Sequence, residues 1–128
     1  MPDIEQRRAK RIFFCDMDSI EADVATGGHS RVSFQARVLN LSEDGIFITV
    51  APLNIPPDGF NAGTHLILRT ITGITPALEI DDVRMEVRWL FQNQLLDHVG
   101  LGCKFLQMSA DTKKQLRCFV NVALEKVK

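Results

Sequence analysis

From Ser33 onward the chain alternates apolar and polar residues with a period of two. "SFQARVLNLSEDGIFITV" predicts two strands joined at "SEDG", "GTHLILRT" a third, "EIDDVRMEVRWLF" a long fourth and "HVGLGCKFLQM" a fifth. "RIFF" and the stretch around "SIEADVA" are expected to supply one more between them. Pro and Gly break the pattern at "PLNIPPDGFNAG" and "TGITP", and "TGGHS" reads as an exposed turn. At Ser109 the period changes. "SADTKKQLRCFVNVALEKVK" offers Ser109 as an N-cap, Asp111 in the first turn, and Leu116, Phe119, Val120, Ala123 and Val127 at spacings of three and four. This predicts one amphipathic C-terminal helix, spanning residues 109–126. Short antiparallel strands followed by a single helix point to an all-β domain with one helix. The strands would form a small closed or nearly closed barrel, with the helix's apolar face covering an opening or a partner's surface.

The composition bounds the function. A chain of 128 residues, 45% hydrophobic, suits one domain with a core of its own. Fifteen lysines and arginines against sixteen aspartates and glutamates argue against a nucleic-acid coat. The positive charge is instead local, in "RRAKR" from Arg7 to Arg11. Cys15, Cys103 and Cys118 are odd in number and lack CxxC spacing, so they read as small buried hydrophobes or a stray thiol. No signal peptide or bilayer-length apolar stretch is visible. A reducing cytoplasm without membrane insertion is therefore expected. His29, His65 and His98 are too scattered for a zinc site. Glu43 and Asp44 have no His or nucleophile near them in sequence and read as a solvated turn, so no enzyme is expected. Trp89 alternates with Val87 and Phe91 against Arg88 and Leu90. It is expected to be buried in the barrel, with a stacking platform as the alternative.

The polar positions inside the strands carry more information. On "ARVLNLS", alternation sends Leu39 and Leu41 to one face and Asn40 and Ser42 to the other. Gly45 follows, where the backbone needs a positive φ or a close approach that a Cβ would block. Taken alone, this is an ordinary Asx/Ser turn between strands.

Taken together, "RRAKR" and "NLSEDG" resemble the paired signature of PilZ domains, RxxxR followed by [D/N]xSxxG. "EVRW" is similar to the family's later strand ending near a Trp, and "VGLGCKFL" to its glycine-containing strand before the closing helix. The chain departs from the pattern in having Asn at position 40, where Asp is commoner, and in a long, Gly-rich stretch between Phe14 and Val32. The resemblance implies a six-stranded antiparallel β-barrel of PilZ type plus the C-terminal helix. Residues 1–11 would form a flexible N-terminal arm and residues 12–128 the barrel domain.

The resemblance also implies a non-enzymatic receptor for cyclic di-GMP that needs no cofactor and relays its state to a downstream protein. Arg7 and Arg11 match the family arginines, and Asn40, Ser42 and Gly45 the second motif. Arg8 contacts phosphate or stays solvated, and Lys10 is solvated. The chemistry suits the ligand: an arginine fork matches phosphate oxygens or the O6/N7 edge of guanine, and also stacks on the base. In an extended chain Arg7 and Arg11 would stand about 13 Å apart at roughly 3.3 Å per residue; in a helix they would be about 6 Å apart. Two rival readings remain, a PilZ-like protein adaptor that does not bind cyclic di-GMP and a small barrel for single-stranded nucleic acid. The second is disfavoured by the near-neutral charge, the few aromatics and the absence of Tyr.

Overall fold

The computed structural model describes residues 11–14, 20–26, 32–52, 60–73, 80, 82–92 and 98–126, with the helix side chains described as far as Val122. Seven strands precede one helix: β1 (Arg11–Phe13), β2 (Glu21–Thr26), β3 (Ser33–Ser42), β4 (Gly45–Val50), β5 (His65–Thr72), β6 (Val83–Gln92), β7 (Val99–Gln107) and α1 (Ala110–Lys126). "RIFF" and "EADVA" thus supply a strand each rather than one between them. Arg11, expected as the last residue of the arm, is the first residue of β1.

β2, β5, β6, β7 and β4 pair in that order, and β3 bonds both β2 and β4, so six antiparallel strands close into a barrel. β3 is long enough to serve two neighbours on one edge. Its Ser33–Arg37 half pairs with β2 and its Asn40–Ser42 end with β1. Alternate residues fill the interior, among them Phe34, Ala36 and Val38 of β3, Ile46, Ile48 and Val50 of β4, Leu66 and Leu68 of β5, and Val83, Met85 and Val87 of β6.

Bulges interrupt this alternation where the barrel turns. Between Val38 and Asn40 the register of β3 against β4 shifts, so Val38 and Leu41, three residues apart, both reach the core while Leu39 is left half-buried. A second shift lies between Val87 and Trp89 on β6, opposite β7. One extra residue reverses the facing of everything beyond it. Leu90 then opposes the core residue Leu101, and Trp89 turns outward, 62% exposed. The burial expected for Trp89 from simple alternation is corrected by this bulge.

Helix α1 begins as its sequence predicts. The Ser109 hydroxyl accepts the Thr112 backbone N–H at 3.1 Å, and Asp111 sits in the first turn. Leu116 and Val120 are buried, and the Phe119 ring stacks on Phe14 with centroids 6.3 Å apart. The helix packs against β1 and β3, so its described apolar face is covered from within the chain. No described helix is long and apolar enough to cross a membrane.

Leu116 is 1% exposed and Val122 is 45% exposed, which separates their expected contributions. Leu116→Ala lowers the unfolding free energy by about 2–5 kcal/mol through lost burial and a residual cavity. Val122→Ala changes it by about 0.5 kcal/mol or less. Urea unfolding of the two variants checks this.

Candidate functional site

The β3–β4 turn is built around one hydroxyl. Ser42 Oγ accepts the backbone N–H groups of Asp44, at 3.1 Å, and Gly45, at 3.2 Å, and approaches the Gly45 carbonyl as a donor at 3.4 Å. Ser42 is fully buried. Its hydrogen-bonding capacity is thus used in shaping the end of β3. Gly45 has no positive φ; among the described glycines that property belongs to Gly63 and Gly73. The requirement is close approach: a Cβ on Gly45 would stand 2.4 Å from the Cys103 carbonyl oxygen of β7. Of the two reasons for glycine that the sequence left open, the structure selects this one.

The β1–β3 pairing joins the two sequence motifs. Arg11 lies opposite Ser42 in register, and its guanidinium donates to Asn40 Oδ1 at 2.5 Å. Asn40 is buried, at 9% exposure, so the amide acts as a fixed acceptor that orients the Arg11 guanidinium. Arg11, Asn40, Ser42 and Gly45 therefore gather at one end of β3, with Arg11 and Asn40 facing outward and Ser42 and Gly45 holding the turn behind them. Arg7, Arg8 and Lys10 lie outside the described residues.

Arg11 and Asn40 open onto a concavity of about 280 Å³ that is also lined by Phe47, Trp89, Phe91 and Gly102. The Phe47 and Phe91 rings pack with centroids 5.4 Å apart. The site is thus a cation and an amide at one side and a largely exposed indole at the other. Phe47, Phe91 and Gly102 were not singled out from the sequence. Their signal lay in the strand register, which places Phe47 opposite Gly102 and Gly102 opposite Trp89.

Two further groups flank the site. Glu43, expected to be solvated, is half-buried and accepts from Arg117 Nε of α1 at 2.7 Å, which ties the turn to the helix. Its hydrogen bond and charge push the Arg117 pKa up. Cys103 is buried, and burial alone pushes its thiol up to about 12, so it stays protonated and inert at neutral pH. Of the two described cysteines Cys118 is the exposed one, and Cys15 lies outside the described residues.

The family model of the PilZ domain matches residues 5–121. The fold is similar to that of the inhibitor of motility MotI/DgrA of Bacillus subtilis, with a TM-score of 0.65 and 16% identity over 96% of this chain and 53% of that one. It is similar to the PilZ domain of YcgR from Escherichia coli with c-di-GMP, with a TM-score of 0.64 and 13% identity over 95% and 94% of the two chains. It is also similar to MrkH of K. pneumonia in its complex with c-di-GMP, with a TM-score of 0.67 and 11% identity over 94% and 54%. The chain thus spans about half the length of MotI/DgrA and MrkH, and nearly all of the YcgR domain. A search of curated protein sequences finds no match.

The turn geometry generates a stability prediction. Ser42→Ala strips two backbone N–H groups of their acceptor and costs about 1–3 kcal/mol. Gly45→Ala drives a methyl into a backbone carbonyl and forces β4 and β7 apart, so it is expected to cost at least as much. Chemical denaturation of both variants, with the midpoint and slope compared with the parent, tests this.

Proposed function

This chain belongs to the PilZ domain family, and from that premise we propose that it is a non-enzymatic receptor for cyclic di-GMP. The observation that carries the reading is the Arg11–Asn40 pair facing Trp89 across one concavity. The ligand has two phosphates and two guanines, and this arrangement offers a partner to each kind of group. Arg11 presents five N–H donors on a planar fork, which matches phosphate oxygens or the guanine O6/N7 edge. Asn40 accepts from that fork through Oδ1 and holds it at the mouth of the concavity. The exposed Trp89 ring supplies a stacking surface, a contact worth about 1–3 kcal/mol per base.

In this reading Ser42 and Gly45 contribute by fixing the end of β3 from which Asn40 projects. Arg7 and Arg8 add cationic contacts from the arm that precedes β1, and the ligand orders that arm against the barrel. A downstream protein then reads the altered surface. The c-di-GMP complexes among the structural neighbours support the choice of ligand.

Calorimetry with purified protein is expected to give micromolar or tighter binding of cyclic di-GMP. No heat and no chemical-shift change near a millimolar ligand would replace the receptor with a protein adaptor. Arg7→Ala and Arg11→Ala each weaken binding by roughly tenfold to a hundredfold, the equivalent of a charge-assisted hydrogen bond of about 1.5–3 kcal/mol. Arg7→Ala does not lower the melting temperature appreciably, whereas Arg11→Ala also strips the buried Asn40 Oδ1 of its donor and costs about 1–3 kcal/mol of stability. Arg7→Lys restores little, because a point charge does not reproduce a fork.

Position 40 yields a separate test. Asn40→Ala removes the acceptor that orients Arg11 and costs about 1–2 kcal/mol of binding. Asn40→Asp supplies the arginines with a counter-charge and tightens binding several-fold. Equal dissociation constants for parent, Asn40→Ala and Asn40→Asp at one salt concentration would remove position 40 from the site.

A further inference from the structure

One outward row runs unbroken across four strand pairings: Phe13 of β1, Asn40 of β3, Phe47 of β4, Gly102 of β7 and Trp89 of β6 each oppose the next. Four of these positions carry a substantial side chain. The bare one lies directly under the indole. A Cβ on Gly102 would stand 2.8 Å from Trp89 Cε3, closer than packed side chains tolerate, and in ordinary contact with Trp89 Cβ at 3.5 Å. The ring therefore rests on the backbone of β7.

No left-handed backbone explains the glycine, since Gly102 is not among the positive-φ residues. A glycine inside a strand weakens it and marks a place where another group comes close. Here that group is Trp89. Gly100, the next outward position of β7, is less demanding: the nearest atoms to an added Cβ are Phe47 Cε1 at 3.2 Å and Cζ at 3.3 Å, with Phe91 Cβ at 3.5 Å. Gly102 also lines the concavity between Phe47 and Trp89, so a side chain there would both lift the ring and fill the floor.

We propose that Gly102 is a positioning residue for the ligand: its bare backbone holds the Trp89 ring flat against the sheet, at the height where a purine stacked on it brings its phosphate towards Arg11. The bulge between Val87 and Trp89 turns the indole outward, and Gly102 sets how far outward it stands. The inference rests on the reading of the concavity as a cyclic di-GMP site, although the ring placement is measurable without ligand.

Trp89 is the sole tryptophan, so its fluorescence reports on this contact alone. In ligand-free protein Gly102→Ala is expected to change the emission spectrum and the near-UV circular dichroism and to increase quenching by acrylamide, while Gly100→Ala leaves all three close to the parent. Calorimetry is expected to show binding of cyclic di-GMP weakened about tenfold by Gly102→Ala, within the range of one stacking contact. In a Trp89→Ala background the same substitution is expected to have almost no effect on affinity.

Unchanged tryptophan signals in Gly102→Ala would overturn the proposal, as would an equal loss of affinity in both backgrounds, which would make Gly102 a general stabiliser of β7. If Gly102→Ala folds poorly, Trp89→Ala/Gly102→Ala should recover the melting temperature because the clash is gone; failure to recover also overturns the proposal. A parent protein that binds no cyclic di-GMP while Gly102→Ala still shifts the spectrum would sink the receptor reading and the positioning role, and uphold the ring placement.

Discussion

β3 hydrogen-bonds along both edges at once, to β2 and β1 on one side and to β4 on the other, and this double pairing turns an open sheet into a barrel. Closure leaves no free edge among the six barrel strands, and it forces the inward residues of all of them to share one interior. A strand in that position cannot slip, because a shift of one residue would move Phe34, Ala36 and Val38 out of the core. The location of the site follows. With β3 immobilised, Asn40 projects from a rigid wall, and Arg11 is brought to it by the short pairing of β1.

The barrel meets two demands by breaking its own alternation. A regular β3 would point Asn40 inward after Val38, and a regular β6 would bury the indole after Val87. An unpaired amide in that interior would cost about 1–3 kcal/mol, and a buried indole would have to find room in a close-packed core. Each bulge inserts one residue and reverses the facing beyond it, so the amide turns from the core to the floor of the concavity and the aromatic ring emerges on the outer surface. β7 accommodates the result on its two faces, with Gly102 under the outward ring and Cys103 among the inward core residues.

Helix α1 adds a second layer over β1 and β3, the strands that carry Arg11 and Asn40. Leu116 and Val120 supply the burial and Phe119 the ring contact with Phe14. Arg117 is exposed where it meets the half-buried Glu43, and salt screens the pair, so its value lies in linking the turn to the helix more than in stability.

The period-two strands from Ser33 to Gln107, the helix with its Ser109 cap and, through the family resemblance, Arg11, Asn40, Ser42 and Gly45 as the residues to watch were all legible in the amino-acid order. These are local signals: alternation, a capping hydroxyl and a spaced motif are written within a few neighbouring residues. It took the folded barrel to put Trp89 outside, to lay Gly102 beneath it, to bring Glu43 to Arg117, and to have Ser42 hold the turn while Asn40 faces the concavity. A bulge changes facing without any distinctive residue to announce it; Leu39 and Arg88 look ordinary in sequence. A contact between positions 43 and 117, or 89 and 102, exists because strand register and helix docking bring distant segments together. Register is set by how all six barrel strands fill one core at once, and that is a property of the closed barrel that no single stretch of chain encodes.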